Sequence, residues 1–208
     1  MFVYAEGGGS GAGSAALQAD FRQAMSVFFE GTVLGATRRP RVVVCGGRDH
    51  AFDSFTTAIT LGKNALLLVD SEEAVSSAHC TKPLTNFMPW AHLLTRDGWH
   101  RPSAATDADC HLMTQCMESW FLADWAATAL FFGQGFKKAE LPKGPVEGIS
   151  KTAVYKALAT ASAKCEPKDP YGKGAHSFKL LALVKPSLIV NASPWAERFI
   201  DELARRKP

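Results

Sequence analysis

Two stretches of this chain, Arg41-Val42-Val43-Val44-Cys45 and Ala65-Leu66-Leu67-Leu68-Val69, carry apolar residues at consecutive positions rather than at alternate ones. A strand with one wet face would alternate, so these two are expected to be covered on both faces, as in the parallel sheet of an α/β protein. A helix over about Ala51 to Leu61 is predicted between them. Upstream, Phe2-Val3-Tyr4-Ala5 reads as a first strand that stops at Glu6 and a glycine-rich turn, Gly7 to Gly13. Ser14 then has the chemistry of an N-cap for a helix to about Phe29, because Leu17, Phe21, Met25, Phe28 and Phe29 recur at helical spacing. The result is βαβαβ, which implies parallel strands with right-handed crossovers.

In open α/β sheets, functional groups collect beyond the carboxyl ends of the strands. Here those ends deliver Glu6, then Gly46-Gly47-Arg48, then Asp70-Ser71-Glu72-Glu73. If the chain stays extended past Val69, the two-residue side-chain period turns Asp70 and Glu72 to one side. Carboxylates held close raise one another's pKa unless a cation lies between them, so Glu6, Asp70 and Glu72 are expected to bind Mg²⁺ or Mn²⁺, which favour oxygen ligands. Glu73 reads as an ordinary acid at a strand–helix junction.

Downstream, His111 to Trp125 reads as an amphipathic helix in which His111, Gln115 and Glu118 share a polar face. Glu118 is a candidate further metal ligand or supporting base, and an exposed helix face explains it about as well; Asp124 is assigned to local structure. Residues 133–150 are an irregular link, Ser150 caps a helix over Lys151 to Ala163, and Pro194 to Arg206 is a helix packed onto the domain. Between them Tyr171-Gly172-Lys173-Gly174-Ala175-His176 places Lys173 on a glycine-flanked loop where a lysine can meet phosphate; His176 is a phosphate contact or a helix cap. The whole, 208 residues, is expected to be one domain: an acidic core over 1–75, an insertion and helix over 76–132, and a lysine-rich helical part over 133–208.

The net charge of +3 hides an asymmetry: residues 1–100 carry 8 Lys/Arg against 9 Asp/Glu, residues 101–208 carry 15 against 11. A basic second half can track a nucleic-acid backbone or be a solvated surface. Five cysteines without a C-x-x-C pair argue against a disulfide framework. His79, Cys80, Cys110, His111 and Cys116 lack the paired spacing of zinc sites, so zinc is a minor alternative. The apolar stretch Trp120 to Phe132 contains Asp124 and is too short to span a bilayer, and Met1 leads into strand-like residues without a basic region, so a cytoplasmic protein is expected.

The glutamate of A-E-G-G-G after the first strand and the acids of L-V-D-S-E after the third resemble the TOPRIM fold of topoisomerases, bacterial primases and overcoming-lysogenization-defect nucleases. The second acid of the pair is glutamate here, and the loop around Ser10 offers no further acid. Along nearly the whole chain, A-E-G-G-G, C-G-G-R, L-V-D-S-E, H-L-M-T-Q-C-M-E-S-W-F-L-A-D and Y-G-K-G-A-H-S-F are similar to a bacterial family, domain of unknown function 4276, regarded as TOPRIM-like and often encoded near ATPases in mobile or defence loci. The resemblance implies a TOPRIM/Rossmann-like parallel sheet flanked by helices with a helical C-terminal extension. It also implies a Mg²⁺-dependent nuclease acting on DNA or RNA, as the effector of an ATPase-associated anti-phage system, with self-association allowed for. In that reading Glu6, Asp70 and Glu72 hold the ion, Glu6 alternatively serves as general base, and Arg48, Lys173 and His176 face the substrate phosphate.

Two rival classes stand beside it. Gly7-x-Gly9-x-x-Ala12 loosely fits a dinucleotide fingerprint, although strand two ends in Cys45-Gly46-Gly47 without the ribose-binding acid. The other is a non-catalytic interaction subunit of an ATPase complex.

Overall fold

The computed structural model of the protein describes residues 1–9, 11 and 13–206. Ser10 and Ala12, which belong to the predicted glycine-rich turn and the dinucleotide fingerprint, lie outside the described residues. The chain forms an α/β fold with a four-stranded, all-parallel sheet in the order β2-β1-β3-β4. Its strands are β1 (Phe2–Gly8), β2 (Arg41–Gly46), β3 (Ala65–Asp70) and β4 (Cys110–Met113). Helix α1 (Ser14–Glu30) connects β1 to β2, and α2 (Arg48–Thr60) connects β2 to β3. Ser14 is not the cap of α1: the cap position belongs to Gly13, whose left-handed backbone (φ 89°) suits glycine, and no side chain caps the helix.

β3 shows how a consecutive apolar run is covered on both faces; β2, expected to be covered likewise, is instead an edge strand in which only Val44 and Gly46 are buried. Leu66 and Leu68 join Val3, Ala5, Phe21 and the C-terminal helices in one core, whereas Ala65, Leu67 and Val69 join Ala51, Phe55 and Trp90 in a second core on the other face. Each leucine is wholly buried, a gain of about 1.5–3 kcal/mol per side chain.

The helix predicted from His111 to Trp125 is corrected by the structure. Cys110–Met113 is a fourth strand that pairs in parallel with β3, Leu67 opposite Cys110 and Asp70 opposite Met113. The chain then turns and enters two short helices, α4 (Ser119–Ala123) and α5 (Trp125–Phe132). His111, Gln115 and Glu118 therefore do not share a helical face. Asp124 has the local role expected of it, capping α5 through Ala127 N–H (3.1 Å) and accepting from Lys185 N–H (2.9 Å).

Helix α3 (Pro89–Asp97) precedes β4. After the irregular link come α6 (Lys151–Ser162), α7 (Ser177–Leu181), α8 (Pro186–Ala192) and α9 (Pro194–Arg205). Ser150 caps α6 as predicted, its hydroxyl accepting from Ala153 N–H at 3.3 Å. Helix α9 buries Trp195, Phe199, Ile200 and Leu203 and also holds β4 in place. Arg198 donates to the Cys110 carbonyl (2.9 Å) and to His111 Nδ1 (3.0 Å). Burial, then the positive charges of Arg198 and Arg206, lower the His111 pKa well below its usual value. A neutral imidazole accepting at Nδ1 is thus a strut between strand and helix. Among the described residues, no helix is long and apolar enough to cross a membrane.

Candidate metal centre

Because the strands are parallel, their carboxyl ends share one edge, and Glu6, Asp70 and Glu72 meet there with ligand oxygens all within 4.8 Å of one another. Among the described residues this is the one such group of three ligands; the Cys and His residues weighed for zinc form none, and all five cysteines are free thiols.

Glu6 lies on β1 just beyond the last residue paired with β3, and Asp70 N–H donates to its Oε2 at 3.3 Å. Two glycines let the neighbouring backbone close in. Gly8 (φ 77°) and Gly46 (φ 73°) occupy left-handed conformations, and a Cβ on Gly46 would come 2.6 Å from the Gly9 carbonyl oxygen. Asp70, 5% exposed, ends β3; its Oδ1 accepts from Met117 N–H at 2.9 Å and its Oδ2 from the Lys151 ammonium at 3.2 Å. Burial, then the charge of Glu6, push the Asp70 pKa up to about 7, with Lys151 and Lys173 pulling the other way.

Glu72 reaches the cluster by a route other than strand alternation. β3 ends at Asp70, and Glu72 takes φ 66°, a left-handed conformation that costs a non-glycine residue about 1–2 kcal/mol. Its N–H donates to the Gln115 carbonyl (2.8 Å), which fixes the turn, and its carboxylate accepts from Lys151 with Arg96 3.9 Å away. Such strain persists where the surroundings impose it and is often found at functional sites.

Lys151, the first residue of α6, is the site residue the sequence reading did not single out. Burial alone would lower its pKa, but Asp70 and Glu72 outweigh that and raise it, so the ammonium stays charged between two carboxylates. A lysine at a helix N-terminus opposes the helix dipole. That misplacement after a recognisable Ser150 cap was the one available sign that Lys151 has anionic partners.

Arg48, expected to face phosphate, is committed within the protein. Its guanidinium pairs with both oxygens of Asp97 (3.2 and 2.7 Å), reaches Glu6 Oε2 (3.3 Å) and the Asp70 carbonyl, and lies 4.9 Å from the Trp99 ring centroid. It positions Glu6. Glu118 lines a cavity beside Glu6 and Asp70 but is not one of the three clustered ligands. It is 1% exposed, and its oxygens accept from Tyr155 (3.1 Å), Tyr171 (3.1 Å) and Ser177 (3.1 Å). Burial, then the Glu118 charge, raise both tyrosine pKa values, so the hydroxyls remain donors.

The same network seats Lys173. Gly172 N–H donates to His176 Nδ1 (3.1 Å) and Gly174 N–H to Ser177 Oγ (3.2 Å), bracketing the loop that carries the exposed lysine into the cavity lining. The His176 ring packs on Phe131 and Phe132, behind that loop, and orders it from there. Substituting Glu118 by alanine removes the acceptor of three hydroxyls, of which Tyr171 and Ser177 can still bond each other at 2.8 Å while Tyr155 loses its partner. The expected loss is about 1–3 kcal/mol of stability, read as a lowered Tm together with faster proteolysis at Gly172–Gly174; unchanged proteolysis would show that Glu118 does not hold the Lys173 loop.

A protein-family model described as domain of unknown function (DUF4276) matches residues 52–204. The matched stretch includes Asp70, Glu72, Glu118, Lys151 and Lys173 and begins after Glu6 and Arg48. No curated protein and no solved structure matches the chain.

Proposed function

We propose that this chain, which belongs to the DUF4276 family, is a Mg²⁺- or Mn²⁺-dependent nuclease that hydrolyses phosphodiester bonds of DNA or RNA, the effector beside an ATPase in bacterial anti-phage defence. The observation that carries the reading is the convergence of Glu6, Asp70 and Glu72 within 4.8 Å at the carboxyl edge of a parallel sheet. A glutamate after the first strand and an acidic pair after a later one is the TOPRIM order of ligands, which supports that assignment. The resemblance to defence-associated families supports the ATPase partner.

The donor set suits the ion. Three carboxylates offer only oxygen, which favours a hard divalent cation. Burial, and after it the charge of Glu6, push the Asp70 carboxyl up to about 7 despite the adjacent Lys151 ammonium, and a bound cation would relieve the second of these. Bound there, Mg²⁺ supplies a Lewis acid for a phosphoryl oxygen and a lowered pKa for a water.

The protein's own groups do the positioning. Arg48 and Asp70 N–H orient the Glu6 carboxylate, Met117 N–H orients Asp70, and Lys151 holds Asp70 and Glu72 together. Lys173 makes no ion pair among the described residues, and this leaves it available for phosphate charge.

The test is cleavage of plasmid DNA and structured RNA with Mg²⁺ or Mn²⁺, repeated with chelator and with Glu6→Gln. Cleavage lost in both controls is expected. Cleavage that survives them would sink the proposal, and none with either ion, alone or with an ATPase partner, would favour the interaction subunit. The titration of Asp70 adds a pH signature. Below its pKa of about 7 the carboxyl holds a proton that an ion must displace. Mn²⁺ affinity is therefore expected to rise by up to about tenfold per pH unit from pH 5 toward 7 and then to level off; calorimetry giving a flat profile over that range would contradict the assignment of Asp70 as a ligand.

A further inference from the structure

Beside the carboxylates lies a cavity of about 310 Å³, at the low end of the ~300–1,000 Å³ of small-ligand pockets. Its lining is divided in chemistry: Glu6, Asp70 and Glu118 are acids, Leu17, Met117 and Phe178 are apolar, and Lys173 is a cation. We infer that this cavity takes one unpaired nucleotide, and that the substrate is accordingly single-stranded nucleic acid. This inference rests on the hydrolase reading above.

A nucleotide carries the same division. Its base presents flat, polarisable faces that pack well on methionine and phenylalanine, and its phosphate needs a cation and a place beside the acids. Of the four basic residues around the site, Arg48 is paired with Glu6 and Asp97, Lys151 with Asp70 and Glu72, and Arg96 with Asp97 and Glu72. Lys173 is the remaining one, on an exposed loop between Gly172 and Gly174. Glu118 makes no ion pair with it and takes three hydroxyl donors instead. The volume decides between strand forms. It accommodates one nucleoside but not a base pair, so a duplex would have to unpair and extrude a nucleotide, at a cost in free energy that a single strand avoids.

The experiment measures binding of Mn²⁺ and of adenosine 5′-monophosphate to the full chain, to Leu17→Trp and to Lys173→Ala. Cleavage of one sequence as a single strand and as a duplex is measured alongside. Leu17 is half-buried on α1, and a tryptophan there fills the cavity. Expected are Mn²⁺-dependent binding of the nucleotide, weakened at least about tenfold by either substitution while Leu17→Trp keeps its Mn²⁺ affinity, and faster cleavage of the single strand by at least about tenfold. Retained Mn²⁺ binding also certifies that the variant is folded. Nucleotide binding indifferent to Leu17→Trp, or duplex cut as fast as single strand, overturns the inference and leaves the metal-hydrolase reading intact. Failure of the unmodified chain to bind Mn²⁺ removes that reading and this inference with it.

Discussion

Asp70→Asn is expected to lower Mn²⁺-dependent cleavage at least roughly 1,000-fold, the equivalent of about 4 kcal/mol of transition-state stabilisation, while leaving the protein folded. The two outcomes separate because the residue's duties do. Asparagine keeps the volume of aspartate, and its Oδ1 can still accept from Met117 N–H, now 2.9 Å from the carboxylate. What it loses is the negative charge that holds an ion. That charge is also a burden on the fold, since burial pushes the carboxyl up to about 7, so a neutral isostere removes a desolvation penalty as well as the attraction to Lys151. Thermal stability is expected to stay within about 1 kcal/mol of the unmodified chain, because the two effects oppose each other. The measurements are gel-based cleavage, Mn²⁺ calorimetry and a thermal melt on one preparation. Full cleavage by Asp70→Asn would end the metal-hydrolase proposal; loss of cleavage together with unfolding would assign Asp70 a structural duty instead.

What the sequence disclosed, and what it hid, follows from the range of the interactions. The first three strands were legible because short β-branched, aromatic and leucine runs end at turn residues, although only β3 has the double-sided burial that such a run suggests and β2, at the edge, does not; Glu6 and Asp70 were legible because strand ends fix their place. β4 was not. Cys110–Met113 is four residues long, and its state is decided by pairing with β3 and by Arg198 on α9, 88 residues further along. Followed by Trp120, Phe121 and Leu122, it imitates a helical period. Glu72 joins the acidic cluster as expected but by another geometry: alternation along an extended strand was expected, and a left-handed turn pinned by Gln115 brings it in. Arg48 looked free because Asp97, its principal partner, lies on α3, a helix that no local pattern had placed. Lys151 depends on how a separate helix docks, which local patterns do not encode.

Lys151→Met carries the other large effect, and it runs in opposite directions with and without metal. Without metal the substitution strips the counter-charge from Asp70 and Glu72, whose carboxylates it joins at 3.2 Å and closer. Breaking a buried pair from one side costs about 3–5 kcal/mol; the lysine side chain is 20% exposed, so the low end, about 3 kcal/mol, is expected at pH 8. The loss must shrink in acid. The native Asp70 pKa is raised to about 7 from an ordinary value of 3.8, and losing the ammonium raises it further. Between those limits the folded chain holds more protons than the unfolded chain, so stability falls as pH rises and is recovered as pH falls and the carboxyl is neutralised. With Mn²⁺ the sign reverses, because the ion no longer shares its ligands with an ammonium, and affinity is expected to rise by at least about tenfold. Saturating metal should then restore much of the lost stability, since binding to the native state alone stabilises it by mass action. Denaturant melts at pH 6 and pH 8, with and without Mn²⁺, read all of this from one variant. A Lys151→Met protein that binds Mn²⁺ more weakly than the unmodified chain would mean that the lysine assembles the carboxylates for the ion instead of standing in for it.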